Sequence, residues 1–369
     1  MRVLGFMTGT SLDAVDMAVL ETDGAAIDAF GPAGERKLTA ATRQVLLAAT
    51  EAALGWGWDA PRPAIFAEAD AAVADEHLAA ARDFMAEHGL SAADLDLVGF
   101  HGQTVLHQPP GPARKLGRTV QLGDAQRLAT GLGLPVAYDF RSADVAAGGQ
   151  GAPLAPVYHQ ALVAYSGLAA PVAVLNLGGV GNVTLVRTDG VIEAFDTGPA
   201  NGMIDLFMQA RTSLRHDPDG RYAAVGRIDH AVLDAYLGHP YFAARGPKSL
   251  DRFDFSLAPV GQLSLEDGAA TLTAFAAAAV AEGLRGVSER PSRLIATGGG
   301  RHNPVLMNAL RDRIGVPVQS AEDVGWRGDS IEAEAFAYLA ARTAKGLPIS
   351  FPQTTGVPAP MTGGRIVNP

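Results

Sequence analysis

A chain of 369 residues exceeds what one hydrophobic core usually supports, so two domains are expected. Hydrophobic residues at 48% and charged residues at 18% place it among globular proteins. A net charge of −10, with no basic run of five or more residues, argues against nucleic acid as a partner, and the absence of cysteine excludes disulfides, thiolate catalysis and cysteine-ligated metals.

In chain order, Arg2–Met7 reads as a strand, followed by a turn rich in glycine and hydroxyl residues and a second strand over Asp16–Glu21. Asp13 and Asp16 interrupt any signal-peptide core, and no uncharged aliphatic run reaches the ~18 residues of a membrane span, so no membrane role is expected. Thr39–Leu54 and Pro63–Glu87 read as helices, and Leu95–Phe100 as a short apolar strand ending at His101-Gly102-Gln103-Thr104. Arg118–Leu122 and Leu134–Tyr138 are further strands around a helix at Asp124–Thr130, and Ala146–Pro153 is too glycine-rich to be anything but a loop, placed at a cleft. Strands at Val172–Asn176, Val183–Arg187, Val191–Phe195 and Arg293–Ala296 follow. Helices are expected at Gly202–Gln209, Asp229–Leu237, Ala269–Ser288, Pro304–Arg313 and Ser330–Ala344. This alternation argues for α/β architecture.

Three glycine turns stand at strand ends. Gly5 to Asp16 can point successive backbone N–H groups into one concavity that holds phosphate oxygens, and its two aspartates suit Mg²⁺; the alternative is a polar hairpin that binds nothing. Asn176-Leu177-Gly178-Gly179-Val180-Gly181-Asn182 repeats the strand–turn–strand signal in the other half, and Thr297-Gly298-Gly299-Gly300 closes a buried strand before a helix. A duplicated domain with one phosphate-gripping turn per half would place both turns across a central cleft, and ligands of α/β folds bind at carboxyl strand ends; the alternative is chance recurrence in a chain with 43 glycines. The chain lacks a P-loop, a dinucleotide fingerprint, a G-x-S-x-G elbow and zinc-ligand spacing.

Asp196 ends a predicted strand before the Gly198-Pro199 turn, so it is either a general base or the cap of the next helix. Asp139, Arg141 and Asp144 precede the Gly-Gly-Gln-Gly loop and either hold polar ligand groups or form a loop salt bridge. His101 and His107 flank Gly102-Gln103-Thr104. Lys248 reads by default as a solvated turn lysine, and Glu332 beside the apolar face of the last helix is a rim charge or a ligand contact.

These motifs resemble the anhydro-N-acetylmuramic acid kinases. Gly5 to Asp16 is similar to that family's G-x-M-S-G-T-S-L-D-G-V-D, and His101 to Thr104 to its H-G-Q-T. Asp139-Phe140-Arg141 with Asp144 to Leu154 is similar to D-F-R-x-x-D-x-A-x-G-G-x-G-A-P-L. Asn176 to Asn182 is similar to N-x-G-G-x-x-N, and Phe195 to Asn201 to F-D-x-G-P-x-N. The ordered set runs from residue 5 to the proline-rich tail near Thr354–Gly364.

The resemblance implies the fold of the actin, sugar kinase and heat-shock chaperone ATPase superfamily, two duplicated α/β domains around a nucleotide cleft. The expected division is 1–137, carrying the first phosphate loop, and 138–369, carrying the second loop, the catalytic aspartate and an adenosine-side glycine turn, with a C-terminal tail able to return to the first domain. The implied activity consumes ATP with Mg²⁺: water opens the 1,6-anhydro ring while O6 is phosphorylated, giving N-acetylmuramic acid 6-phosphate in cytoplasmic cell-wall recycling. The catalytic base falls on Asp196. ATP contacts are expected at Gly9, Thr10, Ser11, Leu12, Asp13, Ala14, Val15, Asp16, Asn176, Gly178, Gly179, Asn182, Gly298, Gly299 and Gly300, with Mg²⁺ held through water at Asp13. Sugar contacts are expected at His101, Gln103, Thr104, Asp139, Arg141, Gln150, Gly198, Asn201 and Glu332. The alternatives are a kinase for another sugar, such as levoglucosan or an amino sugar, and a nucleotide switch ATPase; homodimerisation stays open.

The chain departs from the pattern at three places. Thr8 stands where serine is usual and keeps the hydroxyl. Ala14 replaces glycine, so either that position has ordinary φ or the loop is reshaped. Lys248-Ser249-Leu250-Asp251-Arg252 replaces K-S-T-G-R, which leaves the role of Lys248 undecided.

Overall fold

A computed structural model describes residues 1–9, 11–111, 117–244, 246–248, 250 and 254–369. It divides into two compact units, Met1–Tyr165 with Ser330–Pro369, and Ser166–Asp329. The division therefore falls at Tyr165/Ser166 rather than at 137/138, and the chain re-enters the first unit at Ser330.

The first unit begins with β1 (Arg2–Met7), β2 (Ala14–Thr22) and β3 (Ile27–Lys37), then α1 (Ala40–Leu54) and α2 (Ile65–Glu87). β4 (Leu97–Phe100), β5 (Gln103–Gln108), β6 (Arg118–Leu122), α3 (Ala125–Leu132), β7 (Val136–Tyr138), α4 (Ser142–Ala146) and α5 (Pro156–Tyr165) follow. The second unit runs β8 (Val172–Leu177), β9 (Val180–Val186), β10 (Ile192–Pro199), α6 (Asn201–Arg211), α7 (His230–Leu237), α8 (Leu265–Arg285), β11 (Arg293–Thr297), α9 (Pro304–Ile314) and β12 (Val318–Ser320). α10 (Ile331–Ala344), α11 (Pro352–Thr355) and β13 (Arg365–Val367) return to the first.

The sheets repeat one topology. The first is ordered β13-β7-β4-β1-β2-β3 and the second β10-β9-β8-β11-β12. In each, three strands form an antiparallel meander, and two later strands add in parallel beside its first strand. Only β13, antiparallel to β7, breaks the correspondence. The two glycine turns read from the sequence, between β1 and β2 and between β8 and β9, occupy the same place in this repeat.

β1 is buried on both faces, as its unbroken apolar run requires. Leu4 and Phe6 join Leu46, Phe66, Val73 and Phe84 in the core under α1 and α2. On the other face Gly5 and Gly99, paired across β1 and β4, let α10 approach at backbone distance. A Cβ would lie 2.0 Å from the Ala333 carbonyl oxygen at Gly5, and 2.2 Å from that of Phe336 at Gly99. That close packing ties α10 to the first unit's sheet. In the second unit α8 is buried continuously from Gly268 to Val280, where a run of alanines lets sheet and helices press in from several sides.

Thr39 and Asp124 cap α1 and α3 as their positions suggested. β3, β5, α4, α5, β12, α11 and β13 are additions to the expected elements. β3 carries Gly31 and Pro32, which read as a turn, but it is the sheet's edge strand and its register shifts there, an arrangement that tolerates proline. His101-Gly102 ends β4 as expected, but Gln103 and Thr104 already belong to β5, paired with β6.

Candidate active site

In the first unit the turn between β1 and β2 is closed by the Leu12 N–H donating to the Gly9 carbonyl at 3.2 Å. Leu12 adopts φ 56, in the left-handed region, and is held there by a side chain buried in the core. Ala14 lies inside β2 opposite Lys37, so its conformation is extended and the missing glycine is accommodated without reshaping. The side chains of Leu12 and Val15 are buried, and Val15 pairs with Arg36 of β3. Ser11 and Asp13 are exposed at the turn, and Asp16 pairs with Met7 in the ladder. Thr10 lies outside the described residues.

The His101 to Thr104 stretch sits directly behind this turn. Gln103 Nε2 donates to the Gly9 carbonyl at 3.4 Å and to the Thr104 carbonyl at 3.2 Å, while its buried Oε1 has no partner among the described residues. Thr104 accepts from Gln121 Nε2 at 3.3 Å. His101 packs at a tilt against Phe336 of α10, ring centres 4.5 Å apart, and accepts from Arg141 Nε at 3.2 Å. A ring that accepts from a guanidinium must be neutral, and burial followed by the Arg141 charge drives its pKa well below the usual value. Arg141 also donates to the Gly151 carbonyl at 2.8 Å; burial lowers its pKa to about 10, opposed by Glu332 and Asp144. Asp144 accepts from the Gly151 N–H and the Thr355 hydroxyl, both at 2.6 Å, so it fastens the glycine loop to α11. Gln150 is held in the same loop by the Thr355 and Pro110 carbonyls.

His101 and Arg141 are thus joined directly and Glu332 acts on the Arg141 charge, while Gln103 and Gln150 are fixed by other partners in the same unit. Asp139 does not join them: at φ 57 its carboxylate turns to Arg365 of β13 at 3.2 Å, along a separate groove of about 710 Å³ with Trp56 and Tyr138.

In the second unit three strand ends converge. Asn201, at the start of α6, donates its backbone N–H to the Gly178 carbonyl at 3.0 Å and its side-chain amide to the Leu177 carbonyl at 3.0 Å. The Ala200 and Gly202 N–H groups both reach the Gly179 carbonyl. The first N–H groups of α6 are thus spent on holding the turn. Gly298 adopts φ 72, and a Cβ there would lie 2.2 Å from Asn176 Oδ1, so only glycine lets β11 end this close to β8. Gly300 is pressed equally against Leu177 and Asn201, whereas Gly299 faces open space.

Asp196 lies within β10 rather than at its end, because the strand continues to Pro199 through an irregularity between Asp196 and Gly198. It does not cap α6, whose cap position is Ala200 with no side-chain bond. Its carboxylate accepts from Asn182 Nδ2 at 2.7 Å and from the Leu250 N–H at 2.8 Å. Burial pushes its pKa up to about 6, against the lowering pull of those two donors and of Lys248. Tyr241 donates to the Asp196 carbonyl at 2.5 Å, and the Asp196 N–H donates to the Lys248 carbonyl at 2.9 Å. Lys248 is therefore no solvated turn residue. Its ammonium donates to the Tyr241 and Ala244 carbonyls and lies 4.2 Å from the Tyr241 ring centre, securing the segment that braces Asp196. Ser249, Asp251 and Arg252 lie outside the described residues.

Two groups had no signal in the sequence reading. A pocket of about 350 Å³ beside Gly299 and Gly300 is lined by Asp205, on α6, and His216; burial raises the Asp205 carboxyl to about 6. Asp205 shares α6 with Asn201, Gln209 and Arg211, so its charge does not stand out in the sequence. Tyr241 was equally silent, since its role depends on a chain reversal 45 residues from Asp196.

Among the described residues no cluster of three or more potential metal ligands occurs, and no helix is long and apolar enough to cross a membrane. The anhydro-N-acetylmuramic acid kinase family matches residues 1–369. A protein named anhydro-N-acetylmuramic acid kinase from Phenylobacterium zucineum is 66% identical over 369 residues, covering 100% of both chains. One of the same name from Caulobacter vibrioides is 67% identical over 367 residues, covering 100% of this chain and 99% of its own. Another from Brucella anthropi is 50% identical, covering 99% and 98%. The motifs, the repeated topology and these full-length similarities agree, and the chain belongs to the anhydro-N-acetylmuramic acid kinase family.

Proposed function

We propose that this protein uses ATP to phosphorylate O6 of 1,6-anhydro-N-acetylmuramic acid while water opens the anhydro bridge, a step of peptidoglycan recycling. The observation that carries the reading is Asp196: a carboxylate with pKa near 6, fixed by two donors, is ionised at neutral pH and basic enough to take a proton from water. The water oxygen bonds to C1, its proton passes to Asp196, and the C1–O6 bond breaks. O6 leaves with the bonding pair and attacks the γ-phosphorus, releasing ADP. One base thus drives two bond exchanges, and the rest of the task is positioning and charge stabilisation.

The turns at Gly9–Asp16 and Gly178–Gly179 supply backbone N–H groups for phosphate oxygens. The pocket of Asp205 beside Gly299 suits the nucleoside, since a carboxylate can accept from a ribose diol. His101, Gln103, Arg141 and Glu332 offer a ring N–H donor, an amide, a cation and an anion to the amino sugar. Mg²⁺ fits Asp13, an exposed carboxylate on the first turn, because this ion takes one or two carboxylates and fills its sphere with water and phosphate oxygens. Bound there, it would neutralise charge on the transferring phosphoryl group. Cytoplasmic location follows from where ATP and the recycled sugar meet.

Reaction in ¹⁸O-water tests the reading. One label per ADP is expected on the anomeric hydroxyl, above the exchange seen when unlabelled product stands in labelled water. Label in free phosphate would indicate an uncoupled ATPase, and turnover confined to open-ring sugars would indicate an ordinary sugar kinase.

A further inference from the structure

The buried histidine of α2 lies outside the machinery assigned so far. His77 is 1% exposed and sits edge-on between Phe6 and Phe100, with ring centres 5.3 and 4.9 Å away. Its Nδ1 is 2.8 Å from the Val73 carbonyl, and its Nε2 is 3.0 Å from the Thr8 hydroxyl. A carbonyl oxygen only accepts, so Nδ1 carries the ring hydrogen. Burial keeps the ring neutral, with a pKa pushed down to about 4, so Nε2 holds a lone pair. Thr8 must therefore donate its single hydroxyl proton to His77. Thr8 is the last residue before the Gly9 turn, and at 2% exposure it has little access to a ligand.

We infer that His77 is a positioning residue for the first phosphate hairpin: it takes the Thr8 proton, so Thr8 anchors the root of the hairpin to α2 and does not donate to phosphate. The usual expectation for a hydroxyl in a phosphate loop is the opposite. An ionised phosphate oxygen can only accept, and the Thr8 proton is already committed. The pair fixes the direction in which β1 delivers the turn, while the N–H groups beyond it meet the nucleotide. The Gln103 amide, at the start of β5, holds the Gly9 carbonyl, so the root is gripped at consecutive residues.

This rests on the nucleotide reading above, and a double-mutant cycle tests it. His77→Phe keeps the ring packing and removes both nitrogens; Thr8→Val keeps the shape and removes the hydroxyl. Each is expected to raise KM for ATP about 5–10-fold, the scale of one hydrogen bond, with kcat within about twofold. The double variant should be no worse than either single one. Thr8→Ser should recover most of what Thr8→Val loses. If Thr8 instead donates to phosphate, Thr8→Val costs far more than His77→Phe, and the double variant is worse than His77→Phe alone. If the pair serves stability only, melting temperature falls while KM for ATP holds. Either result overturns the inference. Should His77→Phe not fold, the contrast between Thr8→Val and Thr8→Ser in KM decides. A wild-type protein that binds no nucleotide by calorimetry refutes the nucleotide reading itself, whereas the cycle in melting temperature still reports whether Thr8 and His77 are coupled.

Discussion

Asn182 donates to Asp196 at 2.7 Å, and removing that donor should move the pH dependence of the reaction. A hydrogen bond to a charged group contributes roughly 1.5–3 kcal/mol, and each pKa unit corresponds to ~1.4 kcal/mol. Water replaces part of the lost bond, so Asn182→Ala should lift the Asp196 pKa from about 6 by about one unit. The base works ionised, so kcat/KM falls as pH drops through its pKa. At pH 6 the wild-type carboxylate is about half ionised and the variant about a tenth, a loss of roughly fivefold that vanishes by about pH 9. The assay is ADP release with the anhydro sugar between pH 5 and 9. Asp196→Asn should lose 10²–10⁴-fold across that range, the usual scale for removing a general base. The same raised pKa fixes a stability trend. A carboxyl whose folded pKa exceeds its unfolded value of 3.8 favours folding below that value and loses the benefit as pH rises through about 6. Asp196→Asn should therefore gain on the wild type as pH rises across that window, by at most ~3 kcal/mol, less the cost of facing two donors with one amide oxygen. An acid limb unmoved in Asn182→Ala, or an Asp196→Asn turnover within tenfold of wild type, would refute the base assignment.

Gly99→Ala puts a methyl group 2.2 Å from the Phe336 carbonyl in α10, and overpacking of this kind costs ~3 kcal/mol or more. A fall of roughly 6–12 °C in melting temperature is expected by calorimetry, and an unchanged value would mean that α10 does not lie so close. Asp205→Ala should narrow the preference for ATP over 2′-deoxy-ATP by about 10-fold in kcat/KM, with an unaltered ratio counting against the ribose contact. Burial pushes the Glu76 carboxyl up, but it accepts from the Thr42 and Thr39 hydroxyls, at 2.7 Å each, and from Arg36, which together outweigh burial and hold it below the usual range. Glu76→Gln should lower the urea midpoint at pH 7 and lose that effect as pH falls through the carboxylate range; equal midpoints at pH 7 would contradict the network's role.

The fold was legible wherever local chemistry agreed with tertiary use. Thr39 and Asp124 announce helix starts, and Val3–Met7 and Val172–Leu177 announce buried strands, because apolar runs and capping side chains act over a few residues. β3 was not legible: Gly31 and Pro32 carry turn chemistry, and only an edge position, invisible in sequence, excuses them. The domain boundary was misplaced for a related reason. Nothing local to Ile331–Ala344 says that this helix belongs under β1 and β4; the partners that admit it are Gly5 and Gly99, more than 230 residues earlier.

At the candidate site the motif residues were read from the sequence as a set, yet their neighbours decide what they can do. Asp196 read as a base or a cap from sequence alone. The bonds from Asn182 and Leu250, with Ala200 at the cap position, separate the two roles. Asp139 and Arg141 stand two residues apart, and their shared motif suggested a shared duty. The left-handed φ of Asp139 instead sends its carboxylate to Arg365, while Arg141 turns to His101. Lys248 was the least legible, because its meaning lies in the carbonyls it ties together. A lysine that holds Tyr241 and Ala244 steadies the segment whose Leu250 N–H donates to the Asp196 carboxylate, and its charge pulls the pKa of that carboxylate down directly. The change from threonine to Leu250 is tolerable on these terms. The bracing needs the lysine cation and two backbone groups, at 248 and 250, and any non-proline side chain at position 250 supplies the same N–H.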